Sequence, residues 1–145
     1  MNLEGVSVLD LFGGTGNISL EFLSRGAAEL CYVEENIRCL KFFSDECKKL
    51  ALTTVKFHKG DVFSFLKNCS QSFEIIFADP PYDKGLAEKI PQAVFQKNLL
   101  QKNGLLIVEH SEKLNLSLEQ HFQEKRKYGN VCFSFFSVSE TSVQQ

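Results

Sequence analysis

The chain predicts an α/β fold: an open, mostly parallel sheet with helices on both faces, finished by an antiparallel hairpin. Three observations predict it. Short, nearly all-apolar runs such as Phe73–Ala78 read as strands covered on both sides. These runs alternate with segments of helical period, the pattern of strand–helix–strand units. Near the end, Lys125–Tyr128 and Val131–Val138 are parted by Gly129-Asn130, a hairpin signal. A length of 145 residues suits one domain, 1–145, with a core of its own.

The elements follow in order. The first strand opens at Val6 and ends in Asp10-Leu11-Phe12, and Gly13-Gly14-Thr15-Gly16 turns the chain. A helix is expected from Asn17, read as its N-cap, to Arg25, with Gly26 as its stop. Leu30 to Val33 is the second strand, ending at Glu34. Ile37, Leu40, Phe43, Cys47 and Leu50 recur at helical spacing, with lysines on the opposite side. Val55 to His58 is a third strand, closed by Gly60-Asp61, and Val62, Phe63, Phe65 and Leu66 mark a short helix. Phe73 to Ala78 is a central strand that runs into Asp79-Pro80-Pro81-Tyr82. Leu86 to Leu100 is predicted as a helix with an irregularity at Pro91, which a helix tolerates only in its first turn or at a break. Gly104 then precedes a fifth strand, Leu105 to Val108, ending in Glu109-His110. A short helix is expected over Leu116 to Phe122, before the hairpin, and the polar tail Ser139 to Gln145 is expected to fray.

Composition excludes several classes. Hydrophobic residues make up 43% and charged residues 23%, ordinary for a globular chain. No apolar run is long enough to span a bilayer and no secretion signal opens the chain, so a cytoplasmic protein without a membrane partner is expected. A formal net charge of −2 gives no global pull toward nucleic acid; such binding needs a local basic patch. Cys31, Cys39, Cys47, Cys69 and Cys132 form no C-x-x-C pair, which favours buried thiols over disulfides or a metal site.

A strand, a glycine turn and a helix N-terminus make a small-molecule site, because glycines admit a ligand to the backbone and the first helical N–H groups face it. A dinucleotide site would carry a third glycine where Ser19 stands, which disfavours a nicotinamide oxidoreductase. Asp10 at the strand end would repel a phosphate and suits an ammonium or sulfonium. Every one of the first five strands ends near an acid: Asp10, Glu34, Asp61, Asp79 and Glu109. Ligands of open α/β sheets bind at those ends. Glu34 stands about twenty residues past the glycines, where an acid grips a ribose diol; the plain alternative is a cap for the next helix. Asp61, followed by Val62, could accept from an adenine amino group, or simply cap its helix. In Asp79-Pro80-Pro81-Tyr82, two prolines hold a carboxylate and a carbonyl where both can accept from one exocyclic amine, and Tyr82 can stack on a base.

With Leu9-Asp10-Leu11-Phe12-Gly13-Gly14-Thr15-Gly16 on the first strand and Asp79-Pro80-Pro81-Tyr82 on the fourth, the chain resembles the bacterial RsmD-like family. Those enzymes methylate N2 of a guanine in small-subunit (16S) ribosomal RNA. Glu21, Ser24-Arg25-Gly26-Ala27, Val33-Glu34, Val108-Glu109-His110 and Lys127-Tyr128-Gly129 extend the likeness over nearly the whole chain. The resemblance implies a Rossmann-like class I methyltransferase fold of seven strands, S-adenosylmethionine (SAM) as cofactor, and a monomer acting on ribosomal RNA or the assembling small subunit. It also implies a basic N-terminal segment of which little stands before Val6. By the same likeness, Asp10, Phe12, Gly13, Gly14, Thr15, Gly16, Asn17, Glu34, Asp61, Val62 and Asp79 are expected around SAM. Gly14 and Gly16 would make the closest backbone approach. Asp79, Pro80, Pro81 and Tyr82 are expected to do the chemistry. Arg25 and Lys84, expected near the strand ends, and Lys125 with Lys127 are the candidates for holding RNA phosphates; the plain alternative for the last two is a charged edge strand. Two further readings stand beside this one: an adenine-N6 methyltransferase, which shares the Asp-Pro-Pro-Tyr pattern, and a non-catalytic module of the same fold.

Overall fold

The computed structural model describes residues 2–138. Seven strands form one sheet in the order β3-β2-β1-β4-β5-β7-β6. They are β1 (Ser7–Leu11), β2 (Glu29–Glu34), β3 (Val55–Lys59), β4 (Phe73–Ala78), β5 (Leu100–Ser111), β6 (Phe122–Tyr128) and β7 (Val131–Phe136). The first five run parallel; β7 is antiparallel to both β5 and β6. Four helices connect them: α1 (Asn17–Ser24), α2 (Ile37–Lys49), α3 (Val62–Asn68) and α4 (Ile90–Gln96). The expected class, hairpin included, is the one observed.

Alternation along the strands sorts the core into two layers. Leu9, Leu11, Ile76, Ala78, Leu106 and Val108 point to the face covered by α3 and α4, where Val62, Leu66, Ile90 and Val94 meet them. Val8, Leu30, Tyr32 and Ile75 point to the other face, against Phe43 and Cys47 of α2 and Leu20 and Leu23 of α1. Within α2 the expected stripe is buried only at Phe43 and Cys47, with Leu40 half-buried; its outer members Ile37 and Leu50 are exposed, at 55% and 57%, because they lie at the helix ends. After β3 the chain crosses to the far side of β1, and β4 lies directly beside β1. Strand order reverses there, which opens a crevice at the carboxyl ends of those two strands.

Three elements differ from expectation. Leu86–Leu100 is not one helix: a 3₁₀ turn at Ala87–Lys89 leads into α4, which is only seven residues long with Pro91 in its first turn. Its last expected residue, Leu100, instead opens β5 by pairing with Phe73. Strand β5 then shifts register before Leu105 pairs with Ile75, and Gly104 sits in that irregularity. A Cβ on Gly104 would lie 2.7 Å from the Glu74 carbonyl, so the glycine marks a close backbone approach inside the strand, not its start. The third is Leu116 to Phe122, which forms turns without a helix. Leu116 is buried, but Phe122 is claimed by β6, where it pairs with Phe136 and meets its ring edge-on at 5.8 Å. A one-residue change falls at α1: Gly16, in the left-handed region, is the N-cap and Asn17 the first helical residue. The tail from Ser139 lies outside the described residues. Among those residues, no helix is long and apolar enough to cross a membrane, and no group of His, Cys, Asp and Glu is arranged to hold a metal ion.

Candidate active site at the sheet's carboxyl rim

A cleft of about 590 Å³ opens where the strand order reverses, within the usual size of a small-molecule site. Phe12 and Gly14 line it from the end of β1, Glu34 from β2, Asp61, Val62 and Phe63 from the start of α3, Asp79 to Tyr82 from the end of β4, and Glu109 from β5. Four acids that the sequence puts at strand ends therefore share one cavity.

The glycine turn is built by two aromatic rings. A Cβ on Gly13 would fall inside the ring of Tyr32, and one on Gly16 inside the ring of Phe43. The two rings pack on each other with centroids 4.6 Å apart, and the Tyr32 hydroxyl donates to the Gly14 carbonyl. Only Gly14 meets open space, with φ +57°, and it alone of the loop glycines lines the cleft. Gly16 packs on Phe43 and is not among the residues lining the cleft. Thr15 and Asn17 are exposed and outside the cleft wall. Phe12 takes φ +59°, a conformation costing a non-glycine residue about 1–3 kcal/mol. That turn carries its ring to the edge of Phe63, 6.4 Å between centroids, forming one side of the cleft.

Asp10 also departs from expectation. It is 1% exposed, does not line the cleft, and accepts a 2.6 Å hydrogen bond from the Ser19 hydroxyl. Alternation explains this: Leu9 and Leu11 face α3 and α4, so Asp10 must face α1. Ser19, where a dinucleotide loop has glycine, is the residue that satisfies it, a partnership the spacing of nine residues does not announce. Burial raises the Asp10 pKa to about 7, with the Ser19 bond opposing and Asp79 and Glu34 adding to it. The folded chain therefore holds this proton to higher pH than the unfolded chain does, and stability declines as pH rises from about 4 to 7. Asp10→Asn keeps an acceptor for Ser19 and removes the charge. Its melting temperature is expected to fall less than the unaltered chain's between pH 5 and pH 8; parallel declines would refute the assignment.

Glu34 Oε1 accepts from the Gly14 N–H at 2.8 Å and Oε2 from the Asn36 N–H at 2.9 Å. The cap of α2 is Asn36, whose side chain accepts from the Arg38 and Cys39 N–H groups. That removes the capping alternative for Glu34 and leaves its carboxylate in the cleft wall. Asp61 does cap α3, accepting from the Ser64 N–H at 2.9 Å, while also lining the cleft beside Val62.

At the end of β4, the Asp79 N–H donates to the Leu11 carbonyl, tying the two strand ends together. Burial, and then the neighbouring Glu109 carboxylate, push the Asp79 pKa up to about 6. The Tyr82 hydroxyl donates to Glu109 Oε2 at 3.1 Å, while its ring stays 45% exposed in the cleft mouth and free to stack. Behind Glu109, His110 is buried: Nδ1 donates to the Ser111 carbonyl and Nε2 pairs with the Ser134 hydroxyl, while burial lowers its pKa and favours the neutral ring. Glu109 joins the site although its sequence signal, an acid ending the fifth strand, pointed to no specific role.

The basic candidates separate. Lys84 lines the cleft from the 3₁₀ turn Tyr82–Lys84. Arg25 does not approach it. It caps the far end of α1, beside Gly26, whose carbonyl accepts from the Gly5 N–H just before β1 begins, and it pairs with Glu21 at 2.6 Å. It belongs to the opposite rim. Lys125 and Lys127 stand on the edge strand β6, and Lys127 is bonded to Glu112 at 2.6 Å. The Tyr128 end of β6 pairs through Val131 with Ser111, so this strand rises to the rim that holds the cleft.

Residues 1–137 match the family model described as Conserved hypothetical protein 95. The chain belongs to this family. It is 30% identical over 107 residues to the ribosomal RNA small subunit methyltransferase D of Buchnera aphidicola subsp. Baizongia pistaciae, covering 74% of this chain and 55% of that protein. It is 27% identical over 135 residues to the protein of the same name from Buchnera aphidicola subsp. Acyrthosiphon pisum, covering 92% and 71%. The chain thus spans little more than half the length of the first of these relatives. Among solved structures, the Thermus thermophilus 16S rRNA N2 G1207 methyltransferase (RsmC), in complex with AdoMet and guanosine, superposes with a TM-score of 0.75. It is 25% identical, and the match covers 93% of this chain and 38% of that one. A Haemophilus influenzae protein described as a candidate methylase superposes with a TM-score of 0.86 at 24% identity, over 95% and 89% of the two chains. The family's fold is the Rossmann-like methyltransferase fold.

Proposed function

We propose that the chain transfers a methyl group from SAM to the exocyclic N2 of a guanine in small-subunit ribosomal RNA. The observation that carries this reading is the meeting of the glycine turn and Asp79-Pro80-Pro81-Tyr82 in one cleft. The names of its relatives support the reaction class.

SAM, when bound, supplies a methyl group already activated by its sulfonium. The cleft fits such a ligand at both ends: Gly14 leaves its Cβ direction open, and Glu34 and Asp61 present carboxylates for a ribose and an adenine amine. Val62 and Phe12 wall it, and Gly13, Thr15, Gly16 and Asn17 shape the turn that Gly14 presents. Glu34→Ala is expected to weaken SAM binding by about 1–3 kcal/mol, the range for losing a charged hydrogen-bond partner. Unchanged affinity in calorimetry would reduce Glu34 to a clasp on the turn.

The guanine N2 lone pair is delocalised into the ring and attacks poorly. Asp79 and the Pro80 carbonyl accept its two hydrogens, which favours a pyramidal nitrogen with its lone pair turned to the methyl. As the N–C bond forms and the S–C bond breaks to leave a neutral thioether, Asp79 would take the surplus proton from the nitrogen. Pro80 and Pro81 have no N–H, so this corner offers the amine no competing donor. Positioning and fixed charge supply the acceleration. A base reaching the cleft has left its stack, and Tyr82 replaces the lost contact. Lys84 and Lys125 take phosphates; Lys127 stays with Glu112.

The test is methyl transfer from labelled SAM to small ribosomal subunits and to naked 16S rRNA, followed by nucleoside mass spectrometry. N2-methylguanosine is the expected product. N6-methyladenosine, or no transfer from a chain that also fails to bind SAM, would overturn the reading.

A further inference from the structure

The wall that faces the target base is made of acceptors. Among the described residues, five carboxylates line the cleft (Glu34, Glu35, Asp61, Asp79 and Glu109), and Lys84 is the lone cation. In the corner where β4 and β5 end, the donors at Asp79, Pro80, Pro81 and the Tyr82 hydroxyl are missing or already committed. Asp79 gives its N–H to Leu11, Pro80 and Pro81 have none, and the Tyr82 hydroxyl points at Glu109. Glu109 is held from both sides: Tyr82 binds its Oε2, and β5 is fixed behind it by the buried His110–Ser134 pair. Asp79 and Glu109 line this corner together, and the Glu109 charge acts on Asp79, so a ligand group between them meets two acceptors at once.

Base edges differ in how they answer such a corner. The guanine edge carries the N2 amine beside a ring N1–H, so its neighbouring positions are both donors. The adenine edge carries the N6 amine beside a bare N1 lone pair, and the cytosine edge likewise sets its N4 amine beside an unprotonated N3. A second carboxylate next to the amine-binding one is satisfied by the first edge and left facing a lone pair by the others. Sites built to receive a hydrogen bond reject analogues that cannot make it, because the buried polar group stays unpaired.

We propose that Glu109 is a specificity-determining residue that accepts the ring N1–H of the target guanine while Asp79 and Pro80 hold its N2 amine. The inference rests on the functional reading above and adds the device that separates guanine from adenine. The competing role for Glu109 is to anchor Tyr82 alone, with no contact to the base.

The experiment uses the full chain, labelled SAM and a synthetic stem-loop carrying the guanosine mapped by the methyl-transfer assay. A second stem-loop carries 2-aminopurine at that position. This base keeps the 2-amine but exposes a lone pair at N1. The unaltered chain is expected to prefer guanine by about 10- to 100-fold in kcat/KM, the range of one good base contact. Glu109→Gln can turn an amide N–H to the bare N1, and the preference is expected to shrink at least tenfold. Equal rates on the two bases by the unaltered chain would overturn the inference without any variant. So would an undiminished preference in Glu109→Gln, which would leave Glu109 as Tyr82's anchor and the guanine-N2 reading intact. Failure of the unaltered chain to methylate guanine at all would overturn that reading and this inference together.

Discussion

Asp79→Ala is expected to lower methyl transfer by about 10²–10³-fold, the cost of removing one preorganised group from a transition state, while SAM still binds. On the proposed mechanism the substitution removes the carboxylate that accepts from the amine, and it leaves the glycine turn, Glu34 and Asp61 untouched. In that mechanism the carboxylate acts when ionised, and burial and Glu109 raise its pKa to about 6. In the unaltered chain, kcat should therefore rise with pH through about 6 and level off above it. Single-turnover transfer at saturating SAM, measured from pH 5 to 8, tests both statements. Undiminished turnover in Asp79→Ala, or a rate already level at pH 5, would remove Asp79 from the chemistry.

Gly16→Ala is expected to destabilise the fold by about 2–4 kcal/mol, since it adds a left-handed non-glycine residue and an overpacked core contact. Its φ is +88° and its Cβ would enter the Phe43 ring, which is wholly buried and wedged against Tyr32. Typical total stability is 5–15 kcal/mol, so a large share is at stake. Gly14→Ala is the control. At φ +57° it bears the same left-handed cost, but its Cβ would meet only the Phe12 carbonyl, at 4.0 Å, so it should lose less stability than Gly16→Ala while weakening SAM binding. Urea melts and calorimetry on the pair separate a packing glycine from a ligand-facing one. Equal melting midpoints for Gly16→Ala and the unaltered chain would refute the division.

The strands and the class of fold were legible because apolar runs and helical periods are local. So was the site's location, since five strands end in acids and only one rim collects strand ends. Other features needed three dimensions. Asp10 and Leu11 are neighbours in sequence, yet alternation sends one under the turn and the other into the core between sheet and α3. Arg25 was misplaced although the sign was available. Eight residues of helix carry the chain about 12 Å back toward the strands' starting rim. The helix expected from Leu86 to Leu100 is cut at both ends, by a 3₁₀ turn before Ile90 and by its stop at Gln96, and Leu100 is taken by pairing with Phe73. Glu34 and Asp61 could each cap a helix by sequence; only the observed caps, Asn36 for α2 and Asp61 itself for α3, tell them apart.

The two central strands come from distant parts of the chain. Val8 of β1 lies against Ile75 of β4, and Ser7 and Glu74 exchange a pair of side-chain-to-backbone bonds across 67 positions. Everything from α1 to α3 lies in that interval, and parallel pairing over such a span is slow because loop closure precedes any reward from contact. The glycine turn rides on β1 and the Asp-Pro-Pro-Tyr segment on β4, so neither half of the cleft has its other wall until these strands meet. A refolding chain can regain helices, and even the β1–β2–β3 half of the sheet, without regaining a place for the base. Recovered catalysis thus reports the closing of this one long-range pair, and helical signal that returns earlier does not.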